Sequence, residues 1–375
     1  MGNRSRAALV AGGVFLVGVA ALSRFYAYPT LAVAPADQVT QVIADGPGAR
    51  IFDVATLKEI TIDLQAVRNI RGDVAASEQA SKDLDRDVVV YDMSIVTDKP
   101  GYVLPDDAKQ TDNWPRSFSQ QRMVLDARTG EAVSWKPQDP KQGEYLSTKI
   151  EDTDDARDYA DDKGPEDGRP VFEGHKGLVL KFPAGTEKKD YEFWEANTRQ
   201  AWPIKYESEE KVLGLNTYKF VQEVPTTKIA EIAGVPRSAL KLPGEGSVTV
   251  DRDYASTRTI WVEPLTGAII NASDKQYSTL KYEGETRLIA TDATFTYTDE
   301  TVKKNVEGVE REDTGEIDGG YQDKAAQLNL IKNVIPLTAL ILGVLLIALA
   351  GFLQARPTAT RARRGGGGDD GDDAF

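Results

Sequence analysis

The stretch Val334–Leu353 constrains this chain most, because no charged residue lies between Lys332 and Arg356. As a helix, about 20 residues span about 30 Å, which is the thickness of the hydrocarbon core of a bilayer. Arginines follow at once, and such residues mark the cytoplasmic side of a span. We therefore predict a transmembrane helix over 333–354 and a disordered cytoplasmic tail of low complexity over 355–375.

A second apolar stretch, 7–23, lies near the other end of the chain. It predicts a first transmembrane helix over 7–28 that ends at Pro29, and the arginines of residues 1–6 predict a cytoplasmic N-terminus. The alternative is a cleaved signal peptide, since Ala32-Val33-Ala34 is an A-x-A site, although Pro35 directly after it disfavours cleavage. Two spans with both ends inside predict a plasma-membrane protein whose residues 29–332 are extracytoplasmic.

Small residues recur at helical spacing in both predicted spans. They are Ala8 and Gly12 in the first span and Ala339 and Gly343 in the second. Because small side chains let helices approach closely in lipid, we expect the two spans to pack through these residues. The alternative is that Gly and Ala are simply common in membrane spans.

The charge of the chain excludes some partners. The net charge is −14, whereas the first 24 residues are basic and the residues after 332 are balanced, so the acidity belongs to the segment between the anchors. An acidic surface repels phosphate backbones, which predicts no nucleic-acid partner. The chain has no cysteine, which excludes disulfides and thiol catalysis. The integral partner is membrane lipid, and the sequence names no protein partner.

The segment between the anchors predicts a mainly β (α+β) fold with a large antiparallel sheet, because short β-branched and aromatic stretches alternate with Gly, Asn and Pro. The predicted strands are Arg86–Val96, Gln121–Ala127, Glu131–Trp135, Leu178–Phe182, Lys189–Trp194, Ala201–Lys211, Leu215–Glu223, Ser247–Asp251, Thr257–Glu263, Ala268–Tyr282 and Glu285–Tyr297. Predicted helices are Val74–Leu84, Thr226–Ala233 and Tyr321–Asn333, the last continuing into the second span. A strand-turn-strand element with a Thr-Gly turn occurs twice, over Val124–Val133 and Val262–Ile270.

Sequence motifs for catalysis are missing from the chain. There is no P-loop, dinucleotide-binding fingerprint or nucleophile elbow. The one histidine, His175, is predicted to be a surface turn residue. The acidic loop 151–168 is predicted to be solvated; calcium binding through Asp152 and Asp154 is the alternative, although Ala156 breaks the ligand spacing. We therefore expect no enzyme activity, no catalytic residue, no cofactor and no metal.

Aromatic residues crowd one part of the chain and are the candidates for lining an apolar ligand cavity in the β-rich domain. The alternative is that they form ordinary core. These candidates are Tyr191, Phe193, Trp194, Trp202, Tyr206, Tyr218 and Phe220.

The same region carries motifs that, taken together, resemble an actinobacterial membrane family of unknown function, labelled the porin PorA family. The motifs are Gly177–Pro183, Thr186–Tyr191, Phe193-Trp194, Ala201–Pro203, Gly214–Phe220, Arg258–Glu263 and Thr266-Gly267. The resemblance covers most of the chain, including both anchors. It implies an inner-membrane protein with an extracytoplasmic domain, and it brings no catalytic or ligand residues.

The functional hypothesis is a non-catalytic protein of the cell envelope that binds or passes an apolar or lipid molecule through its ectodomain. Class B scavenger receptors share this double-anchored layout and bind lipid, which is an analogy of topology alone. The first alternative is a channel, as the family label says. The second alternative is a scaffold for other envelope proteins.

Overall fold

The computed structural model describes residues 3–53, 56–102, 116–135, 151–152, 174–310, 317–318 and 320–355. Of the acidic loop 151–168, only the backbone of Glu151 and Asp152 is described, so the candidate calcium ligand Asp154 and the side chain of the candidate Asp152 lie outside the described residues. The chain divides into two compact units. A terminal unit combines Met1–Tyr28 with Leu330–Phe375, and a β unit contains Pro29–Asn329.

The helices and strands have the following bounds. The helices are α1 (Asn3–Leu22), α2 (Tyr28–Leu31), α3 (Val74–Leu84), α4 (Asp299–Glu307), α5 (Tyr321–Asn329) and α6 (Ile335–Ala355). Two π-helical turns, Ser23–Ala27 and Leu330–Val334, connect α1 to α2 and α5 to α6. The strands are β1 (Val39–Asp53), β2 (Lys58–Gly72), β3 (Val88–Asp98), β4 (Ser117–Asp126), β5 (Glu151–Asp152), β6 (Tyr191–Glu195), β7 (Gln200–Val212), β8 (Leu215–Pro236), β9 (Ser247–Glu263), β10 (Ala268–Tyr282), β11 (Glu285–Tyr297), β12 (Val309–Glu310) and β13 (Ile317–Asp318).

Two helical stretches are long and apolar enough to cross a membrane. They are Arg4–Leu31, with 28 residues, and Tyr321–Gln354, with 34 residues. The first stretch passes Pro29, where the sequence predicted its end, and continues to Leu31. A proline is tolerated there because the preceding π-helical turn already displaces the regular hydrogen bonds that its ring would disrupt.

Helices α1 and α6 pack closely in the terminal unit. A Cβ atom on Gly13 would lie 2.7 Å from the Gly343 carbonyl oxygen, and one on Gly343 would lie 2.8 Å from the Gly13 oxygen. Such backbone contact is possible only without side chains at both positions. Further along, the two π-helical turns are joined, because Ser23 donates to the Ile331 carbonyl at 2.6 Å and Arg24 to the Lys332 carbonyl at 3.1 Å.

The β unit is built on one antiparallel sheet of eleven strands in the order β5-β4-β3-β2-β1-β11-β10-β9-β8-β7-β6. Consecutive strands are neighbours, so each half is a simple meander, and pairing of β1 with β11 joins the halves. This confirms the predicted antiparallel, mainly β class. Helix α3, also predicted, covers the outer face of β3 and β4 by packing Ala76 and Ala80 against Val88, Val90 and Val124.

The sheet curls so that its two edges meet through residues 177–178. On one side, Ala132 of the hairpin that extends β4 donates to the Gly177 carbonyl at 2.9 Å. On the other side, Leu178 donates to the Glu192 carbonyl of β6, and Trp194 donates back to Leu178, both at 2.8 Å. These bonds satisfy edge groups that would otherwise be open for pairing with another chain, and they close the sheet around its inner face.

Several elements differ from their sequence predictions. Glu131–Trp135 and Leu178–Phe182, predicted as strands, are not strands in the structure, because Glu131, Ala132 and Leu178 form only isolated bridges. The predicted strands Ser247–Asp251 and Thr257–Glu263 belong to one continuous strand, β9.

Residues 226–233, predicted as a short helix, lie in β8, where Thr227 and Ile232 pair with β9. The helical prediction is wrong because cross-strand pairing overrides a weak local preference. Strands β1 and β2 were not predicted. Within β1, Gly46-Pro47-Gly48 forms a bulge, where the register shifts between Gly46 and Ala49.

Both Thr-Gly turns contact residues 177–184, the crossing segment, which runs from the hairpin after β4 to the turn between β9 and β10. Phe182 donates to the Gly267 carbonyl at 2.8 Å, and Ala184 donates to the Arg128 carbonyl at 3.1 Å. A Cβ atom on Gly130 would lie 2.7 Å from the Lys181 oxygen, and one on Gly267 would overlap the Phe182 oxygen. The recurrence seen in the sequence therefore corresponds to two glycine turns that hold one crossing segment.

We predict that Gly267→Ala lowers the free energy of unfolding by about 3 kcal/mol or more, because the new methyl group meets backbone that cannot move aside. Gly284→Ala is the matched control. Gly284 also has a positive φ, 79° against 75° for Gly267, but a Cβ atom there meets nothing within 4 Å. The control should lose about 1 kcal/mol through φ strain alone. Chemical unfolding of the purified full chain measures both, and equal losses would contradict the close approach.

Candidate functional site

The inner face of the curled sheet lines a partly open cavity of about 980 Å³. This volume lies at the upper end of the range of about 300–1,000 Å³ that ligand pockets occupy. Every long strand except β7 contributes to the lining. The apolar lining includes Val42, Ala44, Ile51, Leu64, Ala66, Met93, Ile95, Val179, Ile260, Ile269, Ala272, Leu280 and Phe295.

The alternating direction of side chains along each strand determines which residues line the cavity. On β2, Leu64, Ala66 and Arg68 line the cavity, whereas Asp63 directly before them and Asn69 directly after them are exposed. On β10, Ala272, Asp274 and Gln276 line it, whereas Lys275 and Tyr277 are exposed. Because successive side chains point to opposite faces, the sheet presents a mixed face of apolar and polar side chains to the cavity and a polar face outward.

The predicted aromatic candidates occupy different places. Phe193 and Trp194 line the cavity, and the other five are not part of its lining. Phe220 is fully buried in a cluster with Phe182 and Phe193, against which the rings of Tyr191, Tyr206 and Tyr218 pack. Trp202 packs against the cluster of Val224, Ile229 and Tyr254 and donates to Thr198 at 2.9 Å. This cluster forms a solid aromatic wall rather than an open surface.

His175 is buried, with 6% of its surface exposed, so its prediction as a surface turn residue is wrong. Its Nε2 atom lies 3.3 Å from Gln121 Oε1, and its ring meets the Trp194 ring edge-on at 5.0 Å. Both of these partners line the cavity. The glycine-flanked sequence suggested a solvated loop, whereas tertiary packing places this segment beside the sheet closure.

A buried ion cluster forms part of the cavity wall. Arg258 Nη2 donates to Glu195 Oε2 at 2.5 Å and to Asp274 Oδ2 at 3.0 Å. Burial opposes the charge of the guanidinium, but Asp274 and Glu195 outweigh it and raise the pKa of Arg258. Burial, followed by the same two carboxylates, also raises the pKa of Tyr254 well above its ordinary value, so this phenol stays protonated.

Neighbouring groups satisfy both carboxylates of this cluster. Glu195 Oε1 accepts from the backbone and side-chain nitrogens of Asn197, each at 2.9 Å. Asp274 accepts from Ser256 at 3.0 Å and from Gln276 at 3.1 Å. Saturated carboxylates of this kind are typical of a structural network, because a general base needs a free lone pair directed at a substrate.

The predicted helix-packing residues also have different surroundings. Gly343 lies at the α1–α6 contact, and its partner there is Gly13, which the sequence did not single out. A Cβ atom on Gly12 would meet only the side chain of Leu346, at 3.7 Å. Ala339 is buried, and Ala8 is exposed. In the part of the chain that the structure describes, no group of three or more His, Asp or Glu residues is placed to hold a metal ion.

Fold and cavity together define a class of protein whose sequence has one apolar helix before and one after a curled antiparallel sheet that lines a cavity. A family model described as Porin PorA matches residues 6–352. The chain belongs to the porin PorA family, as the resemblance of its motifs predicted.

Two relatives are similar to this chain. A protein of Corynebacterium amycolatum named Porin PorA is 22% identical over 316 residues, which cover 72% of this chain and 76% of the relative. A second protein named Porin PorA, from Corynebacterium resistens, is 25% identical over 144 residues, which cover 26% of this chain and 35% of the relative.

We predict that Arg258→Met lowers the free energy of unfolding by about 3–5 kcal/mol, because it leaves two carboxylates inside the protein without their counter-charge. Arg128→Met is the control. Arg128 pairs with Asp87 at 3.0 Å, but 49% and 63% of these side chains are exposed, so the control should change stability by less than about 1 kcal/mol. Urea unfolding followed by tryptophan fluorescence measures the free energy of unfolding of both variants. Similar losses would contradict the claim that the buried carboxylates depend on the charge of Arg258.

Proposed function

We propose that this protein binds an apolar molecule of the cell envelope in the cavity of its β unit, and stores or passes it without chemical change. The observation that carries the proposal is the cavity of about 980 Å³, whose wall carries many apolar side chains beside a set of polar and charged ones. A closed sheet with an apolar interior is a common solution for holding one small apolar ligand. Phe193 and Trp194 belong to the lining, although only 4% of each is exposed.

We also propose that the protein lies in the plasma membrane with both termini in the cytoplasm and the β unit outside. The basic residues beside both spans support this orientation. The close packing of α1 against α6 at Gly13 and Gly343 supports an N-terminal helix that is retained rather than cleaved. In this orientation, lipids of the cell envelope can reach the cavity of the β unit.

Cysteine labelling tests this topology, because the natural chain has no cysteine that would react. We expect a membrane-impermeant maleimide to label Lys275→Cys, on the exposed face of β10, in intact spheroplasts. Thr358→Cys, in the tail after the second span, should react only after the membrane is permeabilised. The opposite pattern would overturn the proposed orientation.

Photocrosslinking tests the cavity. The full chain is placed in phosphatidylcholine nanodiscs with a long-chain fatty acid that carries a mid-chain diazirine, and crosslinked peptides are identified by mass spectrometry. We expect crosslinks on β2, β3 and β10, besides those on the two spanning helices. Ala66→Phe, which fills the cavity, should reduce the β-unit crosslinks several-fold. Thr61→Phe, exposed on the same strand, should leave them unchanged. Crosslinks confined to the spanning helices would exclude the proposal.

A channel is the second candidate, because the relatives are named porins. The outward residues of the sheet argue against a pore made by its strands, since lipid-exposed strands carry an apolar outer band around a polar interior. Here the exposed positions include Asp63, Asn69 and Lys275. A channel would therefore consist of associated helices. Conductance of the full chain in planar bilayers that is lost on Gly343→Leu would favour a channel.

The remaining alternative is a scaffold. A specific envelope protein recovered in crosslinked pull-downs would favour it.

A further inference from the structure

We propose that the cavity ligand is an apolar chain that ends in one anionic group, a carboxylate or a phosphate, and that Arg68 binds this group. The inference rests on the proposed function and adds the chemical class of the ligand and the residue that recognises it.

The acidic residues of the cavity wall are already paired. Glu195 and Asp274 share Arg258, as described above, and Asp53 forms an ion pair with Arg116 at 3.6 Å. Three carboxylates and four arginines line the cavity. A cationic ligand would therefore have to displace an existing partner from one of these carboxylates.

Arg68 differs from the arginines in these pairs. Its Nη2 atom donates to the Tyr297 hydroxyl at 2.9 Å, and its guanidinium lies 5.9 Å from the centre of that ring. Among the described residues, no carboxylate forms an ion pair with it. A guanidinium has five N–H donors in a planar fork, and one neutral hydroxyl leaves most of this capacity for another acceptor.

The neighbours of Arg68 are apolar. It pairs across the sheet with Val42 of β1 and Ile95 of β3, and both residues line the cavity. Leu64 and Ala66 precede it on the inner face of β2. A cation on an apolar wall is favourable when it meets an opposite charge with hydrogen bonds, and a carboxylate or phosphate fits its fork in a bidentate way. The apolar remainder of such a ligand would then lie against these neighbours.

The measurement is competition against the diazirine fatty acid for crosslinks to β-unit peptides of the full chain in nanodiscs. The competitors share one chain length: hexadecanoate, hexadecyl phosphate and hexadecanol. We expect both anions to compete at concentrations about tenfold or more below that of the alcohol, since a hydrogen bond between two charged groups is stronger than one to a neutral hydroxyl. The two anions together show whether one head group is preferred.

Arg68→Gln should abolish the preference for anions while the alcohol still competes, and Arg68→Lys should restore part of it. Arg71→Gln is the control, because Arg71 is exposed on the same strand, and it should keep the preference. Equal competition by anion and alcohol in the natural chain, or an unchanged preference in Arg68→Gln, would overturn the inference and leave the proposed function standing. The absence of any β-unit crosslink would overturn both.

Discussion

The backbone hydrogen bonds of residues 177–178 are the constraint on which the β unit depends. A sheet of this size with free edges exposes rows of unpaired N–H and C=O groups and leaves one face without a partner. The bonds from Ala132 to Gly177 and from Leu178 to Glu192 join the edges. The inner face then packs against itself and against the crossing segment that begins there, and the cavity is the space that this packing leaves.

Closure also explains why the glycines in the Thr-Gly turns matter. The crossing segment can follow the end of the sheet only if the backbone of two turns approaches it closely, at Gly130 and Gly267. Phe182, which this segment carries, is fully buried against Phe193 and Phe220. The main role of the aromatic cluster is therefore to stabilise the closure of the sheet. It fills the space between β6, β8 and the crossing segment, while the cavity is left where small side chains such as Ala44, Ala66 and Ala272 face inward.

The sequence predicted the parts of this fold that have local causes. Apolar length predicts the spans, and the helix Val74–Leu84 has an N-cap, since Asp73 accepts from the Ala76 nitrogen at 3.0 Å. Long-range pairing decided the parts that were missed. The bulge at Gly46-Pro47-Gly48 is indistinguishable from a turn until β2 and β11 are known to lie on either side of β1. Residues 226–233 become strand only through their pairing with β9.

The cavity is harder to predict than the sheet, for a physical reason. Alternation on β2 shows that Leu64, Ala66 and Arg68 share a face, but not that the facing strands bring small residues there. The aromatic-rich segment was the predicted ligand site because large rings often contact ligands. Large rings also fill space in a core, and most of the aromatic candidates do so here. Arg68 carries no signal in the sequence, since an arginine among alternating residues is usually solvated. Its position becomes informative once the closed sheet turns that face inward and the neighbouring carboxylates are seen to be paired elsewhere.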